Sequence, residues 1–227
     1  MKKKILVADD ERLIVKGISF NLERDGMHVT CVYDGQEALT LAKENNYDLV
    51  FLDIMMPKMN GLEVCRSIRE FSTTPIILLS AKDDDMDKIM GLEMGADDYI
   101  TKPFNILEVK ARMKAILRRS HKKKDQATHI VNIRNMSIHF DNKYVLIDGV
   151  DAELTLTEFE ILELLLERPN KVYTREELLQ RLWSNSEDMD IRTIDVHVRR
   201  LRMKMEQAPN QPQYIKTKWG KGYYFQL

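Results

Sequence analysis

Through the first half of the chain, short apolar runs alternate with helix-periodic segments, and no other feature of the sequence limits the fold so tightly. The runs are ILVA at 5–8, HVTCVY at 28–33, DLVFLD at 48–53, PIILL at 75–79 and DDYI at 97–100. They read as five strands. Between and after them, residues 12–24, 35–45, 62–70, 84–94 and 105–119 repeat apolar positions at spacings of three and four, as Ile106, Val109, Met113, Ile116 and Leu117 do in the last. Strands without a polar face, separated by helices, imply a five-stranded parallel sheet covered on both sides, a doubly wound α/β unit.

The 227 residues exceed what one compact domain of about 100–150 residues holds, so a second domain is expected after the first. With 44% hydrophobic and 31% charged residues there is ample apolar material for two cores, which excludes a mainly disordered chain. No apolar run approaches the roughly 18 residues of a membrane span. The N-terminal MKKKILVA meets Asp9 and Asp10 before it could form a secretory h-region, so a cytoplasmic protein with no membrane partner is expected. Cys31 and Cys65 lie in apolar stretches without metal-ligand spacing and read as small hydrophobes in a reducing compartment.

In doubly wound sheets, ligands bind outside the carboxyl ends of the strands, where the winding direction reverses. There the sequence places Asp9-Asp10-Glu11 after the first strand, Asp53 after the third, Ser80-Ala81 after the fourth and Thr101-Lys102-Pro103-Phe104 after the fifth. Each has an ordinary explanation when taken singly, since an Asp after a strand caps the next helix and a lone Lys is usually solvated. Their convergence is harder to explain that way. Asp9, Asp10 and Asp53 would repel one another unless a cation sat among them, and an oxygen-only acidic nest suits Mg2+. Such an ion with Lys102 can neutralise a phosphoryl group in flight while a carboxylate serves as nucleophile.

The spacing Asp9-Asp10, Asp53, Ser80-Ala81, Lys102-Pro103, with MMPKMNG at 55–61 and GADDYITKPF at 95–104, resembles the receiver domain of two-component response regulators. The resemblance implies that Asp53 accepts the phosphoryl group from a cognate sensor histidine kinase. It also implies that Asp9, Asp10 and Asp53 hold Mg2+, that Ser80 and Lys102 contact the phosphoryl group, and that Tyr99 is the switch aromatic. A cis Lys102–Pro103 peptide is implied as well. A phosphoryl group adds roughly −1.5 to −2 charge, which would draw Ser80 inward and leave space for Tyr99.

The linker is expected at 120–128, where SHKKKDQAT has no apolar periodicity and three consecutive lysines, between domains at 1–119 and 129–227. From 129, HIVNI, MSIHF and KYVLI are separated by turn residues, with Asp148-Gly149 a strong hairpin signal, so a small antiparallel sheet is predicted. Three helices follow. The first opens with Thr155 or Thr157 as N-cap and runs to about Glu167, and the second opens with a capping box at Thr174–Glu177 and runs to about Trp183. The third, from about 190 to 206, puts Ile191, Ile194, Val198, Leu201 and Met205 on a core stripe. The opposite face is centred near Val196 and Met203, flanked by Arg192, Thr193, Arg199 and Arg200, with Lys204 at its edge.

Net charge is −1 overall, but residues 192–221 carry eight basic residues against Asp195 and Glu206, a local excess of six that suits a polyanion. A helix-turn-helix followed by a basic hairpin is a shape that reads DNA, with arginines for guanine edges or phosphates and an exposed valine for a thymine methyl. The half is similar to the winged-helix effector of OmpR/PhoB-type regulators, which implies recognition through RTIDVHVRRLR at 192–202 and a wing at WGKGYYF, 219–225. Arg192, Thr193, Val196, His197, Arg199, Arg200 and Lys204 are then the DNA-contacting residues, joined by Lys221 of the wing. Trp219 stands where some relatives carry Arg, which favours Lys221 for the minor-groove or phosphate contact.

The resemblance further implies a homodimer on phosphorylation. Its face would comprise Lys88, Asp97, Asp98, Glu108, Arg112 and Arg119, with Ile89 and Leu92 as an apolar patch and Arg112 paired to Asp98 across the interface. The expected function is a phosphorylation-activated, sequence-specific transcription regulator that binds double-stranded promoter DNA as a dimer, with RNA polymerase as a further partner. It is not expected to be an enzyme beyond Mg2+-dependent self-phosphorylation and slow autodephosphorylation. An aspartyl-phosphate phosphohydrolase of the haloacid-dehalogenase type would want a second Asp two residues after the nucleophile, where Met55 follows Asp53. Nor does such a pair follow the first strand, where Glu11 and Arg12 come after Asp10. DNA binding independent of phosphate would fit a chain lacking Asp53 or Lys102, and both are present.

Overall fold

A computed structural model describes residues 2–81, 85–119, 129–183 and 190–227; the side chains of 81, 85–89, 118 and 119 lie outside the description. The expected linker at 120–128 also lies outside the described residues. The chain forms two compact units, Met1–Arg118 and Arg119–Leu227. No described helix is long and apolar enough to cross a membrane.

The first unit runs β1 (Lys4–Ala8), α1 (Arg12–Arg24), β2 (His28–Val32), α2 (Gly35–Glu44), β3 (Leu49–Asp53), α3 (Gly61–Arg69), β4 (Ile76–Ala81), α4 (Asp85–Met94), β5 (Asp98–Lys102) and α5 (Ile106–Arg119). All five strands are parallel, in the order β2-β1-β3-β4-β5. Burial explains the alternation: Ile5, Leu6, Val7 and Ala8 of β1 and Leu49, Val50, Phe51 and Leu52 of β3 are buried in succession, so both faces of the sheet are covered. From each helix one stripe reaches this core, such as Val15, Ile18 and Leu22 from α1. Strands β4 and β5 extend further than expected, because Ser80 pairs with Thr101 and Ala81 with Lys102. Ser80, Thr101 and Lys102 are therefore ladder residues at the strand ends rather than loop residues beyond them.

Asn60 and Glu63 form a capping box at the start of α3. The chain reaches that cap by passing close over the end of β3, where a Cβ on Gly61 would collide with the Asp53 carbonyl oxygen. Gly61 thereby fixes the path of the loop beside Asp53.

The second unit begins with an antiparallel sheet of β6 (Ile130–Ile133), β7 (Met136–His139), β8 (Tyr144–Ile147) and β9 (Val150–Asp151). Asp148 and Gly149 join its last two strands with φ of 51° and 82°, the doubly left-handed turn that suits a hairpin. Then come α6 (Leu156–Glu167), β10 (Tyr173–Thr174), α7 (Arg175–Leu182), α8 (Arg192–Met205), β11 (Ile215–Lys218) and β12 (Gly222–Phe225). Capping boxes at Thr155–Glu158 and Thr174–Glu177 open α6 and α7. The core joins Phe159, Leu162, Ile194, Val198, Leu201, Ile215 and Phe225. β11 and β12 form a hairpin, and the two-residue β10 pairs with β12. That pairing requires Gly222, since a Cβ there would collide with the Tyr173 carbonyl oxygen.

Candidate functional site

Because β1 leads outward to β2 and the chain then returns to place β3 on the other side of β1, the winding reverses between β1 and β3. Asp9 follows β1 and Asp53 ends β3 at this point. From the last residue of β5, Lys102 reaches back across the strand ends. Its Nζ lies 2.8 Å from Asp9 Oδ2, 2.8 Å from Asp53 Oδ1 and 3.1 Å from Glu11 Oε1. Ser80 is buried one strand away, and Tyr99, also buried, lies two residues before Thr101, the ladder partner of Ser80. The Lys102–Pro103 peptide is cis.

The site carries more negative charge than Lys102 can offset. Asp9, Asp10 and Asp53 bring carboxylate oxygens within 4.8 Å of one another, two of them from buried side chains. Burial pushes the Asp53 carboxyl up to about 6, with repulsion from Asp9 adding to it and the Lys102 hydrogen bond opposing it. Burial likewise raises Asp9 against the same lysine. At Lys102 burial acts downward, and the two carboxylates outweigh it to hold the ammonium charged. Asp9 Oδ2 is buried with the Lys102 ammonium 2.8 Å away, and Lys102 divides its charge between Asp9, Asp53 and Glu11. Three carboxylates sharing one ammonium, two of them buried, make an all-oxygen donor set that fits a hard divalent cation such as Mg2+.

The second unit has a basic surface made by α8 and the β11–β12 hairpin. Arg192, Arg199 and Met203 are exposed on α8, and Lys218, Trp219 and Lys221 are exposed at the hairpin tip, where Trp219 is 90% accessible. A turn hydrogen bond of 2.9 Å from Lys221 N to Lys218 O shapes that tip. Arg202 locks helix to hairpin, donating to the Ile215 carbonyl at 2.6 and 2.9 Å and to Thr217 Oγ1 at 2.8 Å. Asp195 accepts from Arg175 Nε at 2.6 Å and from the Tyr223 hydroxyl at 2.7 Å, tying α8 to α7 and β12.

Several expectations for α8 are corrected. Val196, expected at the centre of an exposed face, is only 8% accessible, and Thr193 and His197 are buried. Arg200 and Lys204 turn to Glu158 of α6, at 3.0 and 2.8 Å. A helical wheel assigns one buried stripe, whereas α8 packs against both α6 and α7 and so hides two sides. Glu158, Asp195, Arg175 and Arg202 hold α8 in place, a role that the sequence pattern did not assign to them. For Glu158 the signal is its place three residues after the candidate N-cap Thr155, which does not reveal its second set of partners.

In the expected pairing face, the charged residues that are described have partners within the chain. Leu92, Asp97, Asp98 and Arg112 are buried within the unit. Arg112 donates to both Asp98 oxygens at 3.3 Å and to Glu108 at 2.9 Å within one chain, and Asp97 takes Arg69 at 2.9 Å. The side chains of Lys88, Ile89 and Arg119 lie outside the described residues.

Comparison with known proteins covers both units. A family model described as "Response regulator receiver domain" matches residues 5–114, and one described as "Transcriptional regulatory protein, C terminal" matches residues 149–225. Among solved structures, the chain is similar to a cysteine-to-aspartate mutant of RitR, with 30% identity over 99% of each chain and a TM-score of 0.78. It is also similar to the Thermotoga maritima response regulator DrrB, an OmpR/PhoB homologue, with 38% identity over 100% of each chain and a TM-score of 0.53. The receiver domain of a Francisella response regulator is 42% identical over 52% of this chain and 98% of its own, with a TM-score of 0.50.

Proposed function

The chain belongs to the two-component response regulators, with a receiver domain and an OmpR/PhoB-type DNA-binding domain, and on that premise we propose that phosphorylation of Asp53 by a sensor histidine kinase switches its binding to promoter DNA. The observation that carries the proposal is the placement of the Asp53 carboxylate at the winding reversal, 2.8 Å from Lys102 and beside Asp9 and Asp10. In the transfer, an Asp53 oxygen bonds to phosphorus as the phosphorus–nitrogen bond to the kinase histidine breaks. The imidazole keeps the electron pair and takes a proton from solvent. Lys102 offsets charge on the transferring group, and the Ser80 hydroxyl donates to a phosphoryl oxygen. Mg2+, when bound by Asp9, Asp10 and Asp53, supplies further neutralisation of the phosphoryl oxygens.

After transfer, Ser80 is drawn toward the new charge and Tyr99 takes the space it leaves, which couples the site to the β4 and β5 side of the unit. Dimerisation on phosphorylation belongs to the same reading, and because Asp98 and Arg112 are paired within the chain, assembly has either to re-pair them or to use other charges. Turnover chemistry is limited to Mg2+-dependent self-phosphorylation and slow autodephosphorylation, in the cytoplasm, and RNA polymerase is a partner at the promoter. The test is incubation with acetyl phosphate and Mg2+ followed by intact-mass measurement. One phosphoryl group is expected, labile to hydroxylamine and absent from Asp53→Asn. Undiminished labelling in that variant, or without a divalent metal, contradicts the assignment.

A further inference from the structure

Glu158 is fully buried in the first turn of α6, yet its two oxygens meet two cations of α8. Arg200 Nη2 stands 3.0 Å from Oε1, and Lys204 Nζ stands 2.8 Å from Oε2. Oε2 also accepts the Thr155 backbone N–H at 2.9 Å, and Lys204 Nζ donates to the Glu153 carbonyl at 2.7 Å. Both cations are thus held against the body of the unit. Burial alone would raise the Glu158 carboxyl, but Arg200 and Lys204 outweigh it and keep the group below the usual carboxylate range, so the carboxylate stays charged at neutral pH.

Nonspecific DNA affinity grows with the number of phosphates that a protein neutralises, each adding about 0.9 to the slope of log affinity against log salt. Phosphate contacts carry no direct base information. A cation tied to an internal carboxylate is therefore withdrawn chiefly from the nonspecific part of binding. Resting on the DNA-binding reading above, we propose that Glu158 is a specificity-determining positioning residue that withholds Arg200 and Lys204 from the phosphate backbone and sets the orientation in which α8 presents its exposed face.

The experiment uses the full chain, a duplex selected by the wild type from a random pool and a scrambled duplex, each titrated over a salt series. Glu158→Gln keeps an oxygen for the Thr155 cap and releases both cations. Its affinity for scrambled DNA should rise several-fold and its salt slope steepen by about 1–2, while the selected-to-scrambled ratio falls on the order of ten-fold. Adding Arg200→Met and Lys204→Met to that variant should return the scrambled-DNA slope to the wild-type value. If Glu158→Gln leaves the ratio unchanged, or weakens both duplexes in parallel, the proposal is overturned. Arg200→Met in the wild-type background gives a second decision that does not depend on the stability of the Glu158 variant. An unchanged salt slope supports the withheld cation, and a slope flatter by about 0.9 shows that Arg200 reaches phosphate and contradicts it. A wild type that selects no sequence from the pool would count against the DNA-binding reading itself.

Discussion

His197 lies fully buried in the second unit, its ring stacked on Trp183 at 5.9 Å, and both ring nitrogens lack a hydrogen-bond partner among the described residues. Burial, with the Arg200 charge adding to it and Glu158 opposing, holds its pKa down to about 3. The unfolded chain binds a proton here below about 6.5 and the folded chain does not, so stability falls as pH drops through that range. His197→Leu should remove this dependence, sparing about 1–2 kcal/mol between pH 6.5 and 5, as read by denaturant unfolding at each pH. An unchanged slope would mean that the ring titrates in the folded state. At the strand-end carboxylates, Lys102 opposes the burial that raises Asp53. Lys102→Met in metal-free buffer should move Asp53 higher than about 6, measured from its carboxyl carbon resonance, and a fall would contradict the charge balance. His197 also marks where sequence reading stopped: its residue type suits DNA contact, and only packing reveals that it is inside.

Elements that leave a continuous apolar run or a regular apolar spacing were legible before the structure. The five parallel strands and their helices follow from apolar runs and three-four spacing, and α6 and α7 begin at the capping residues that the sequence displays. β10 was not legible, because two residues carry no period and their pairing with β12 depends on a tertiary approach. Gly222 makes that approach, packed where a Cβ would meet the Tyr173 carbonyl oxygen. Gly222→Ala should therefore separate β10 from the β11–β12 hairpin, costing about 1–3 kcal/mol as strain of an overpacked site. Faster amide exchange at Tyr223 and neighbouring hairpin residues, with α1–α5 unaffected, is the expected sign. Protection equal to the wild type would show that the backbone yields without loss.

Across the whole molecule, the convergence of Asp9, Asp53 and Lys102 was readable because parallel α/β sheets gather strand ends, so residues distant in the chain meet by topology alone. Asp9, Asp53 and Lys102 do meet, and the charge that they hold in common was anticipated from their types. The exposed surface of α8 and the charges of β5 and α5 were less readable, since both depend on which charged side chains are turned inward. Glu158 with Arg200, and Asp98 with Arg112, settle that through buried ion pairs that no spacing rule distinguishes from exposed ones. The central claim joins the two units: phosphoryl transfer to Asp53 governs binding of DNA by the second. It is tested most directly by measuring the affinity of the full chain for its selected duplex with and without acetyl phosphate and Mg2+, in wild type and in Asp53→Asn. Tighter binding by the treated wild type, with no change in Asp53→Asn, is the predicted result; equal affinities in all four conditions, or an equal gain in Asp53→Asn, would contradict it.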